Sequence, residues 1–267
     1  MSRIVFDIGG SHLRLARVDG DTLSAALKID TPPLPEEALE TIATLIERIA
    51  PGESVEVIFG AVAGVIGENG VVLASPNLPR WEGFPLGKNL EERFHSRASI
   101  VNDAAAEGVG EAHFGAGKGF PIVAYLTLGT GVGGARIVDG TVDRYAQGFE
   151  PGHQIIEAAR GMTLESLIGG AALTRTHGAP PETLPRDEWE KLTKFLAVGI
   201  WNTIVHWSPD VVVLGGSLMN ETTAFRLAEV TRAVESCRRV VPTLPPIKVA
   251  ALGDQAGLGG ARVLLGD

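Results

Sequence analysis

The sequence has little cysteine, few cations and no long apolar run. Its single cysteine, Cys237, excludes an internal disulfide framework and a cysteine-rich metal site, and such scarcity is typical of a reducing compartment. Lysine and arginine number 23 against 32 aspartates and glutamates, a net charge of −9, whereas nucleic acids bind to clustered cations. No apolar run approaches the ~20 residues of a membrane-spanning helix, and the N-terminal MSRIVFDIGG lacks the order of a signal peptide. We therefore expect a cytoplasmic protein that binds neither nucleic acid nor a membrane.

Glycine is abundant, and the pattern around it indicates an α/β fold. The 267 residues include 34 glycines and 16 prolines, with 45% hydrophobic residues, a composition typical of a globular protein with many turns between strands and helices. Apolar periodicity predicts the elements themselves. Predicted strands cover residues 4–6, 13–18, 55–59, 98–101, 211–216 and 247–252, and predicted helices cover 35–50, 104–114, 192–207, 221–236 and a segment from about 255.

Two segments that lie 120 residues apart have the same pattern. DIGGSHLRLARVDG begins at Asp7 and TLGTGVGGARIVDG begins at Thr127, so that Gly9 falls on Gly129 and each segment ends in Asp-Gly. We interpret the match as an internal duplication, which predicts two similar α/β lobes with a central cleft. The predicted domains are a small lobe over 1–115, a larger lobe over 116–254, and a C-terminal helix over about 255–267 that packs back on the small lobe.

The second segment contains Gly129-x-Gly131-x-x-Gly134, which has the spacing of a dinucleotide-binding loop. Such a loop must lead into a helix, whose N-terminus binds the pyrophosphate, but the residues that follow here, ARIVDG, are β-rich and end in a hairpin turn. We therefore place these glycines, like Gly9-Gly10-Ser11, at a β-hairpin tip, where successive N–H groups can bind an anion. Two such tips predict a clamp for a polyphosphate; the alternative is that both are plain tight turns. The sequence contains no Walker lysine motif.

Five motifs occur in the order DIGGSHLR, VNDAAA, LTLGTGVGG, EPGH and VVVLGGS. In this combination, which extends over almost the whole chain, the sequence resembles the ROK family of sugar kinases, within the sugar kinase, Hsp70 and actin superfamily. The resemblance implies two ribonuclease-H-like (actin-like ATPase) lobes, ATP with Mg²⁺ in the cleft, and transfer of the γ-phosphoryl group to a hexose hydroxyl, usually that at C6. It also implies a homodimer, which is common in the family. The substrates we expect are glucose or an N-acylated hexosamine such as N-acetylmannosamine or N-acetylglucosamine.

The resemblance assigns one group of residues to the nucleotide. Asp7 would bind Mg²⁺ through water, because Mg²⁺ tends to keep several waters; by residue type alone, Asp7 would start an Asx-turn. Ser11 stands where the family usually has threonine, and it keeps the hydroxyl group. The residues assigned to ATP and its phosphates are Asp7, Gly9, Gly10, Ser11, Gly129, Thr130, Gly131, Gly133, Gly215, Gly216 and Ser217.

A second group is assigned to the sugar. Asp103 follows a predicted strand, and VNDAAA resembles the family's Asn-Asp motif, whose aspartate takes the proton of the sugar hydroxyl as a general base. By residue type alone, Asn102 or Asp103 would cap the following helix, His153 would be an ordinary loop histidine and Glu165 a solvated helix residue. Carboxylates and amides suit a sugar because each can serve two neighbouring hydroxyls. The residues assigned to the sugar are Gly64, Asn77, Asn102, Asp103, Glu150, His153 and Glu165.

One family feature is missing from the sequence. Many ROK proteins hold a structural zinc with the histidine of the Glu-x-Gly-His signature and three cysteines in a Cys-x-Cys-Gly-x-x-Gly-Cys pattern. The matching region here, GHQIIEAARGMTLES, contains no cysteine, and Thr163 stands where the last one would be. Hydroxyl and thioether groups do not replace the thiolates of such a site. We expect no zinc, which leaves the support of the loop that carries Glu150 and His153 unexplained at the level of sequence.

Other functions fit the sequence less well. ROK regulators carry an N-terminal helix-turn-helix domain, whereas this sequence begins with a strand pattern and is acidic. A sugar sensor without catalysis would not need Asp103 or two phosphate hairpins, and an actin-like filament usually needs larger lobes. An ADP-release assay over several hexoses separates a kinase from a sensor.

Overall fold

Two β-sheets, one in each half of the chain, organise the structure, a computed structural model that describes residues 1–145 and 148–266. The chain forms two units: Met1–Gly110 with the segment from Asp254 onward makes the first, and Glu111–Gly253 makes the second. The C-terminal segment therefore belongs with the N-terminal part of the chain. No helix within the described ranges has the length and apolar character to span a membrane.

The first unit is built on a six-stranded sheet in the order β3-β2-β1-β5-β8, with β4 beside β2. β1 and β2 form an antiparallel hairpin, whereas β1, β5 and β8 are parallel, so the carboxyl ends of these three strands lie at one edge of the sheet. The elements are β1 (Ser2–Ile8), β2 (His12–Asp19), β3 (Thr22–Leu23), β4 (Leu27–Asp30), α1 (Pro35–Ile49), β5 (Val55–Val62), the small hairpin β6 (Val65–Ile66) and β7 (Val72–Ala74), α2 (Leu86–Phe94), β8 (Arg97–Asn102) and α3 (Asp103–Phe114).

The second unit is built on a five-stranded sheet in the order β11-β10-β9-β14-β15. Its hairpin is β9–β10, and β9, β14 and β15 are parallel. The elements are β9 (Ile122–Leu128), β10 (Val132–Val138), β11 (Thr141–Val142), the small pair β12 (Ile155–Glu157) and β13 (Met162–Thr163), α4 (Leu164–Ile168), α5 (Gly170–His177), α6 (Arg186–Trp207), β14 (Val211–Gly215), α7 (Leu227–Cys237) and β15 (Ile247–Val249); α8 (Ala256–Leu265) follows in the first unit.

The two sheets share one strand order, as the repeated sequence pattern suggests. In each, an antiparallel hairpin and a short third strand stand beside two parallel strands. β1 and β9 begin at Ser2 and Ile122, 120 residues apart, which is the spacing of the two matched segments. Parallel pairing requires a long crossover connection between strands, and helices supply much of it in both units.

Two predicted elements end elsewhere for identifiable reasons. The helix predicted over 221–236 begins only at Leu227, because Asn220 Oδ1 accepts the N–H groups of Thr222 and Thr223 and so holds this stretch in turns. The strand predicted over 247–252 ends at Val249. Beyond it, the N–H groups of Ala251 and Leu252 donate to Oε1 of the fully buried Glu111.

Helix α8 covers one face of the first sheet. Its Leu258 and Ala261 pack with Val5, Ala16 and Phe59, all of them buried. Side chains alternate between the faces of a strand, so Asp7, two residues after Val5, points to this same face. The first turn of α8 reaches the carboxylate: a methyl group built on Gly257 would lie 2.7 Å from Cγ of Asp7. The apolar face of the sheet therefore becomes polar at the end next to the hairpin tip.

Candidate functional site

The carboxyl ends of three parallel strands bring several predicted site residues together in the first unit. Ile8, Val62 and Asn102 are aligned across β1, β5 and β8. Gly9 follows the first of these strands, Gly64 lies just past the second and Asp103 directly follows the third. Ligands of α/β proteins commonly bind at such carboxyl ends. The strand ends therefore form a common platform for residues that the sequence assigns to phosphate and to sugar.

The tip of the β1–β2 hairpin is Gly9-Gly10-Ser11, and it is held from the side by Thr31. The hydroxyl of Thr31 donates to the carbonyl of Gly9 at 2.7 Å, and the N–H of Thr31 donates to the carbonyl of Ser11 at 3.0 Å. Gly10 and Ser11 are exposed. The tip also meets the loop that carries Asn77, because a methyl group on Gly10 would lie 2.9 Å from Cβ of Asn77. A predicted phosphate residue and a predicted sugar residue are thus neighbours.

Asp7 is a buried carboxyl group close to other acidic groups. Burial is the main cause that raises its pKa from the ordinary 3.8 to about 7, and repulsion by Asp103 adds to the increase. Arg14 opposes the increase: its Nη1 lies 3.3 Å from Oδ2 of Asp7. An increase of this kind means that the site disfavours negative charge in the absence of a further cation. Asp7 and Asp103 are therefore electrostatically coupled, as a shared site requires.

The Asn-Asp pair after β8 has two distinct environments. Oδ1 of Asn102 accepts the N–H of Ala105 at 3.0 Å, which makes Asn102 the cap of α3, and its Nδ2 donates to the carbonyl of Gly64 at 2.9 Å. Asp103 is the first residue of α3, and its Oδ1 accepts the N–H of Ala104. By residue type alone, either Asn102 or Asp103 could cap α3, and the structure shows that Asn102 is the cap. Asp103 is partly exposed.

In the second unit, the tip of the β9–β10 hairpin is tied to two helices. The carbonyls of Gly129 and Thr130 accept the N–H groups of Gly170 and Ala171 at the start of α5, both at 2.9 Å. Oε2 of Glu165, in α4, accepts the N–H of Val132 at 2.8 Å. The same oxygen would lie 2.4 Å from a methyl group on Gly131, so a larger residue there would require the Glu165 side chain to shift. Glu165, predicted to contact sugar, thus supports the hairpin that the sequence assigns to phosphate.

The remaining predicted nucleotide residues lie near this tip, with one at its edge. Gly215 ends β14, and Gly216 follows with φ +87°, close enough to β9 that a methyl group would lie 2.3 Å from the carbonyl oxygen of Leu128. Ser217 Oγ would be 3.9 Å from a methyl group on Gly129. Gly133 lies within β10, paired with Thr127, rather than in the tip. The strand ends β9 and β14 therefore place the Gly-Gly-Ser motif beside the hairpin.

The predicted sugar residues of the second unit form a cluster. His153 donates its N–H to the carbonyl of Glu150 at 3.1 Å. The residue Glu150 is exposed, but its carboxyl group is partly buried, which raises its pKa; nearby His153 lowers that pKa and nearby Glu165 raises it further. His153 and Glu165 are thus both close enough to Glu150 to affect the ionisation of its carboxyl group.

The loop that carries Glu150 and His153 is supported by α6 and β10. Nε2 of Gln154 donates to the carbonyl of Pro151 at 2.8 Å, and Nδ2 of Asn202 donates to Oε1 of Gln154 at 2.9 Å. Gly152 packs against β10 so closely that a methyl group would lie 2.0 Å from the carbonyl oxygen of Val132. Amide hydrogen bonds and close backbone packing therefore support this loop, in a region whose sequence has none of the cysteines of the expected zinc pattern. Among the described residues, no group of three or more His, Cys, Asp or Glu side chains is placed to hold a metal ion.

Sequence reasoning missed a network of three charged residues, Arg14, Asp254 and Lys28, of which Arg14 contacts Asp7. Arg14 donates from Nη2 to Asp254 at 2.8 Å, and Lys28 donates to the other oxygen of Asp254 at 2.7 Å. The antiparallel register of the β1–β2 hairpin, which pairs Asp7 with Arg14, was available from the glycine turn. The position of Asp254, more than 200 residues away, had no sequence signal.

Comparison with known proteins identifies the family. The ROK hexokinase of Thermus thermophilus is 28% identical, with a TM-score of 0.81 over 98% of this chain and 96% of that one. A ROK family glucokinase of Streptomyces griseus, solved with glucose and AMPPNP, is 25% identical, with a TM-score of 0.82 over 99% of both chains. The N-acetylgalactosamine kinase of Shewanella sp. strain ANA-3 is 27% identical over 298 aligned positions, which cover 97% of this chain and 94% of that one.

These similarities confirm the predicted α/β fold of the actin-like ATPase type. The model of the ROK family matches residues 3–267. The chain therefore belongs to the ROK family, as its five ordered motifs indicated.

Proposed function

We propose that this protein is an ATP-dependent sugar kinase that transfers the γ-phosphoryl group of ATP to a hexose hydroxyl, most directly the primary hydroxyl at C6. The observation that carries the proposal is the common edge of the first sheet, where Asp103 and the Gly9–Ser11 hairpin follow parallel strands and Asp103 is coupled to Asp7. Two similar proteins support it: one is named a hexokinase, and the other is a glucokinase that was solved with glucose and AMPPNP.

The residues divide the reaction between them. Asp103 would accept the proton of the sugar hydroxyl while that oxygen bonds to the γ-phosphorus, and the bond from the γ-phosphorus to the β,γ-bridging oxygen breaks to release ADP. The proposal assigns the phosphates to both hairpins, Gly9–Ser11 and Gly129–Gly131, and the adenosine to Gly215–Ser217. Glu150, His153 and Glu165 would hydrogen-bond the sugar, together with Asn77, Asn102 and the backbone at Gly64. Positioning of this kind supplies most of the catalysis in phosphoryl transfer.

Mg²⁺ fits the donor set around Asp7. This carboxyl group has a raised pKa, near 7, because it is buried and close to Asp103, and a divalent cation would favour its ionised form. Among the described residues, no group of three or more His, Cys, Asp or Glu side chains could hold a metal ion, and Mg²⁺ characteristically uses one or two carboxylates, water and substrate phosphates instead. When bound with ATP, the ion would neutralise charge on the phosphates. Asp7 would hold it, through water, beside the Gly9–Ser11 tip.

The substrate proposed first is glucose, and the alternative is an N-acylated hexosamine. The glucokinase with bound glucose favours the first, whereas the similarity to an N-acetylgalactosamine kinase over nearly the whole chain favours the second. ADP release should be measured with glucose, mannose, N-acetylglucosamine, N-acetylmannosamine and N-acetylgalactosamine. Turnover with none of them at high enzyme concentration would reject the kinase proposal and favour a sugar-sensing protein without catalysis.

We further propose that the protein is a homodimer, that it is located in the cytoplasm and that its two lobes cover residues 1–115 and 116–254. Light scattering tests the oligomeric state, fluorescence localisation tests the compartment, and limited proteolysis tests the lobe bounds.

Replacing the proposed base gives the sharpest single test. Asp103→Asn should lower kcat by ~10²–10⁴-fold, the usual contribution of a general base. Folding should be unaffected, because Asn102 supplies the cap of α3 and the new amide can still accept the N–H of Ala104. The thermal midpoint and the affinity for Mg·ADP serve as controls. Turnover near that of the unmodified protein would remove Asp103 from the mechanism.

A further inference from the structure

Asp254 connects the C-terminal segment to β2, the strand in which Arg14 is paired with Asp7. It stands two residues before α8, and its two carboxylate oxygens bind different cations: Oδ1 accepts from Arg14 at 2.8 Å and Oδ2 accepts from Lys28 at 2.7 Å. Both cations lie on adjacent strands, because Arg14 in β2 pairs with Lys28 in β4. The hydrogen bond from Lys28, with the charge of Arg14, keeps the pKa of Asp254 below its ordinary value. Asp254 is therefore a charged bridge between two strands and the start of α8.

Arg14 extends this bridge to Asp7. The side chain of Arg14 is only 15% exposed, and its two terminal nitrogens bind two carboxylates: Nη2 binds Asp254, and Nη1 lies 3.3 Å from Asp7. A guanidinium group is planar and rigid, so fixing one of its nitrogens also fixes the direction of the other. One rigid group therefore connects the carboxylates of Asp254 and Asp7.

The same C-terminal segment also limits Asp7 from the other direction. Gly257 in the first turn of α8 leaves no room for a methyl group against Cγ of Asp7. Asp7 is thus confined between Arg14 and the backbone of Gly257, and Asp254 lies three residues before that glycine. Asp254 itself is 64% exposed, but its partner Arg14 is only 15% exposed and contacts a second, buried carboxyl group, which distinguishes this ion pair from an ordinary surface pair.

We propose that Asp254 is a positioning residue that acts through Arg14 on the carboxylate of Asp7, so that Asp7 is held ready for the metal–nucleotide complex. This inference rests on the proposed kinase function, because it concerns the residue assigned to Mg²⁺ there. It assigns a joint role to Arg14, Lys28 and Asp254. Of these three residues, only Arg14 lies in one of the five sequence motifs.

A purely structural role makes a different prediction. Ion pairs between exposed side chains contribute little to stability, so loss of Asp254 would change neither stability nor kinetics to a large extent. Residues that orient a metal-binding group typically change metal affinity or activity by 10–100-fold when replaced. Asp254→Ala should therefore lower kcat or raise the Mg²⁺ concentration at half-maximal rate by ~10–100-fold. KM for the sugar should stay within about twofold, because the network contains no residue assigned to the sugar.

A matched control is available in the same unit. Glu40 accepts from Arg93 at 3.2 Å, with side-chain exposures of 71% and 47%, and neither residue is assigned to the site. Glu40→Ala therefore removes a comparable exposed carboxylate from an arginine pair and should leave the kinetics unchanged. Asp254→Asn keeps the size of the side chain but removes its charge, and its one oxygen can accept from only one of the two cations, so it should show a loss in the same direction as Asp254→Ala. If both Asp254 variants match Glu40→Ala in kcat and in Mg²⁺ dependence, the inference is wrong.

A double-mutant cycle tests the route through Arg14. Arg14→Lys keeps the charge, but a single ammonium group cannot replace the fork between Asp7 and Asp254. If Asp254 acts through Arg14, the double variant Arg14→Lys/Asp254→Ala should be no slower than Arg14→Lys alone, since coupled sites are non-additive. Multiplied effects of the two replacements would contradict the route.

Calorimetric titration with Mg·ADP separates failure of the inference from failure of the proposed function. The Asp254 variants should bind Mg·ADP ~10-fold or more weakly than the unmodified protein, with no such loss for Glu40→Ala. If the unmodified protein transfers phosphate to sugars but the Asp254 variants bind and turn over normally, only the inference is rejected. If it transfers no phosphate while the Asp254 variants lose Mg·ADP affinity, the inference stands and the kinase proposal fails. If it neither transfers phosphate nor binds Mg·ADP, both are rejected.

Discussion

Asp7 is a buried carboxyl group whose ionisation is opposed by its surroundings. The residue side chain is 7% exposed, and burial together with Asp103 raises its pKa to about 7 despite Arg14. A carboxyl group in such a position costs stability when it ionises. Groups with perturbed pKa values are concentrated at functional sites, and this one lies in β1, two residues before the tip of the proposed phosphate hairpin.

Because ionisation of Asp7 destabilises the folded protein, the free energy of unfolding should depend on pH. Between pH 3.8, its ordinary pKa, and about 7, the unfolded chain has released the Asp7 proton and the folded chain retains it, so stability falls as pH rises through this window. Asp7→Asn should remove that dependence. Measured with a chelator present, the variant should unfold at the same temperature as the parent near pH 4 and should be more stable at pH 8, by about 1–4 kcal/mol. An equal difference at both pH values would show that the ionisation of Asp7 is not the cause.

At the scale of residues, the sequence predicts the site in part. The glycine turn after β1 and the repeated motif locate the two hairpin tips, and hairpin register places Arg14 opposite Asp7. Hydrogen bonds between distant segments are not encoded locally: Asp254 meets Arg14 across 240 positions. The hydrogen bond from Val132 to Glu165 is hidden for the same reason, and it gives Glu165 a second task beside the predicted sugar contact.

At the scale of elements, α3 and α8 approach each other with almost no side chains between them. A methyl group on Gly260 would lie 1.7 Å from the carbonyl oxygen of Ala106, and one on Gly110 would lie 2.3 Å from the carbonyl oxygen of Ala256. These partners are backbone atoms, which cannot move aside as a flexible side chain does. The glycines therefore permit a helix spacing that any larger residue would increase.

Gly260→Ala should destabilise the protein. Alanine gains about 1 kcal/mol over glycine in helix propensity, but overpacking of a close contact typically costs about 1–3 kcal/mol, and here the contact is with backbone. Because the methyl group would lie only 1.7 Å from a carbonyl oxygen, the cost should be at the upper end of that range, and we expect the free energy of unfolding to fall by about 2 kcal/mol. Urea denaturation followed by circular dichroism measures it. A variant as stable as the parent, or more stable, would show that the two helices can separate without cost.

The long elements follow from the sequence, whereas the short ones do not. Helix α1 has Pro35 in its first turn, two glutamates after it and an apolar face, which are sufficient signals. β3, β6 and β11 have two residues each, too few for any periodicity. The predicted start of α7 is too early because the side chain of Asn220 accepts hydrogen bonds from the N–H groups that follow it. These bonds stabilise a turn in place of the first helical turn that the apolar pattern predicts.

At the scale of the whole molecule, the duplication could be predicted and the division of the chain only in part. The matched segments fix the two hairpins, and each unit repeats one strand order around them. The segment from Asp254 onward, however, completes the first unit rather than the second. Its apolar periodicity predicts a helix, but the surface that the helix covers depends on Val5, Ala16 and Phe59, which are distant in sequence.

Removal of this C-terminal segment should therefore affect the first unit selectively. Deletion from Asp254 onward would expose the apolar face that Leu258 and Ala261 cover and would free the carboxylate of Asp7 from Gly257. Loss of a helix that buries several apolar side chains removes on the order of 5 kcal/mol, which is comparable with the whole stability of many domains. Amide hydrogen exchange should show loss of protection in β1 and β5, which α8 contacts, whereas β9 and β14 belong to the second unit, serve as the internal control and should stay protected. Equal protection of β1 in the shortened and the full chain would mean that the first sheet does not depend on α8, and equal loss in both sheets would mean that the two units do not unfold separately.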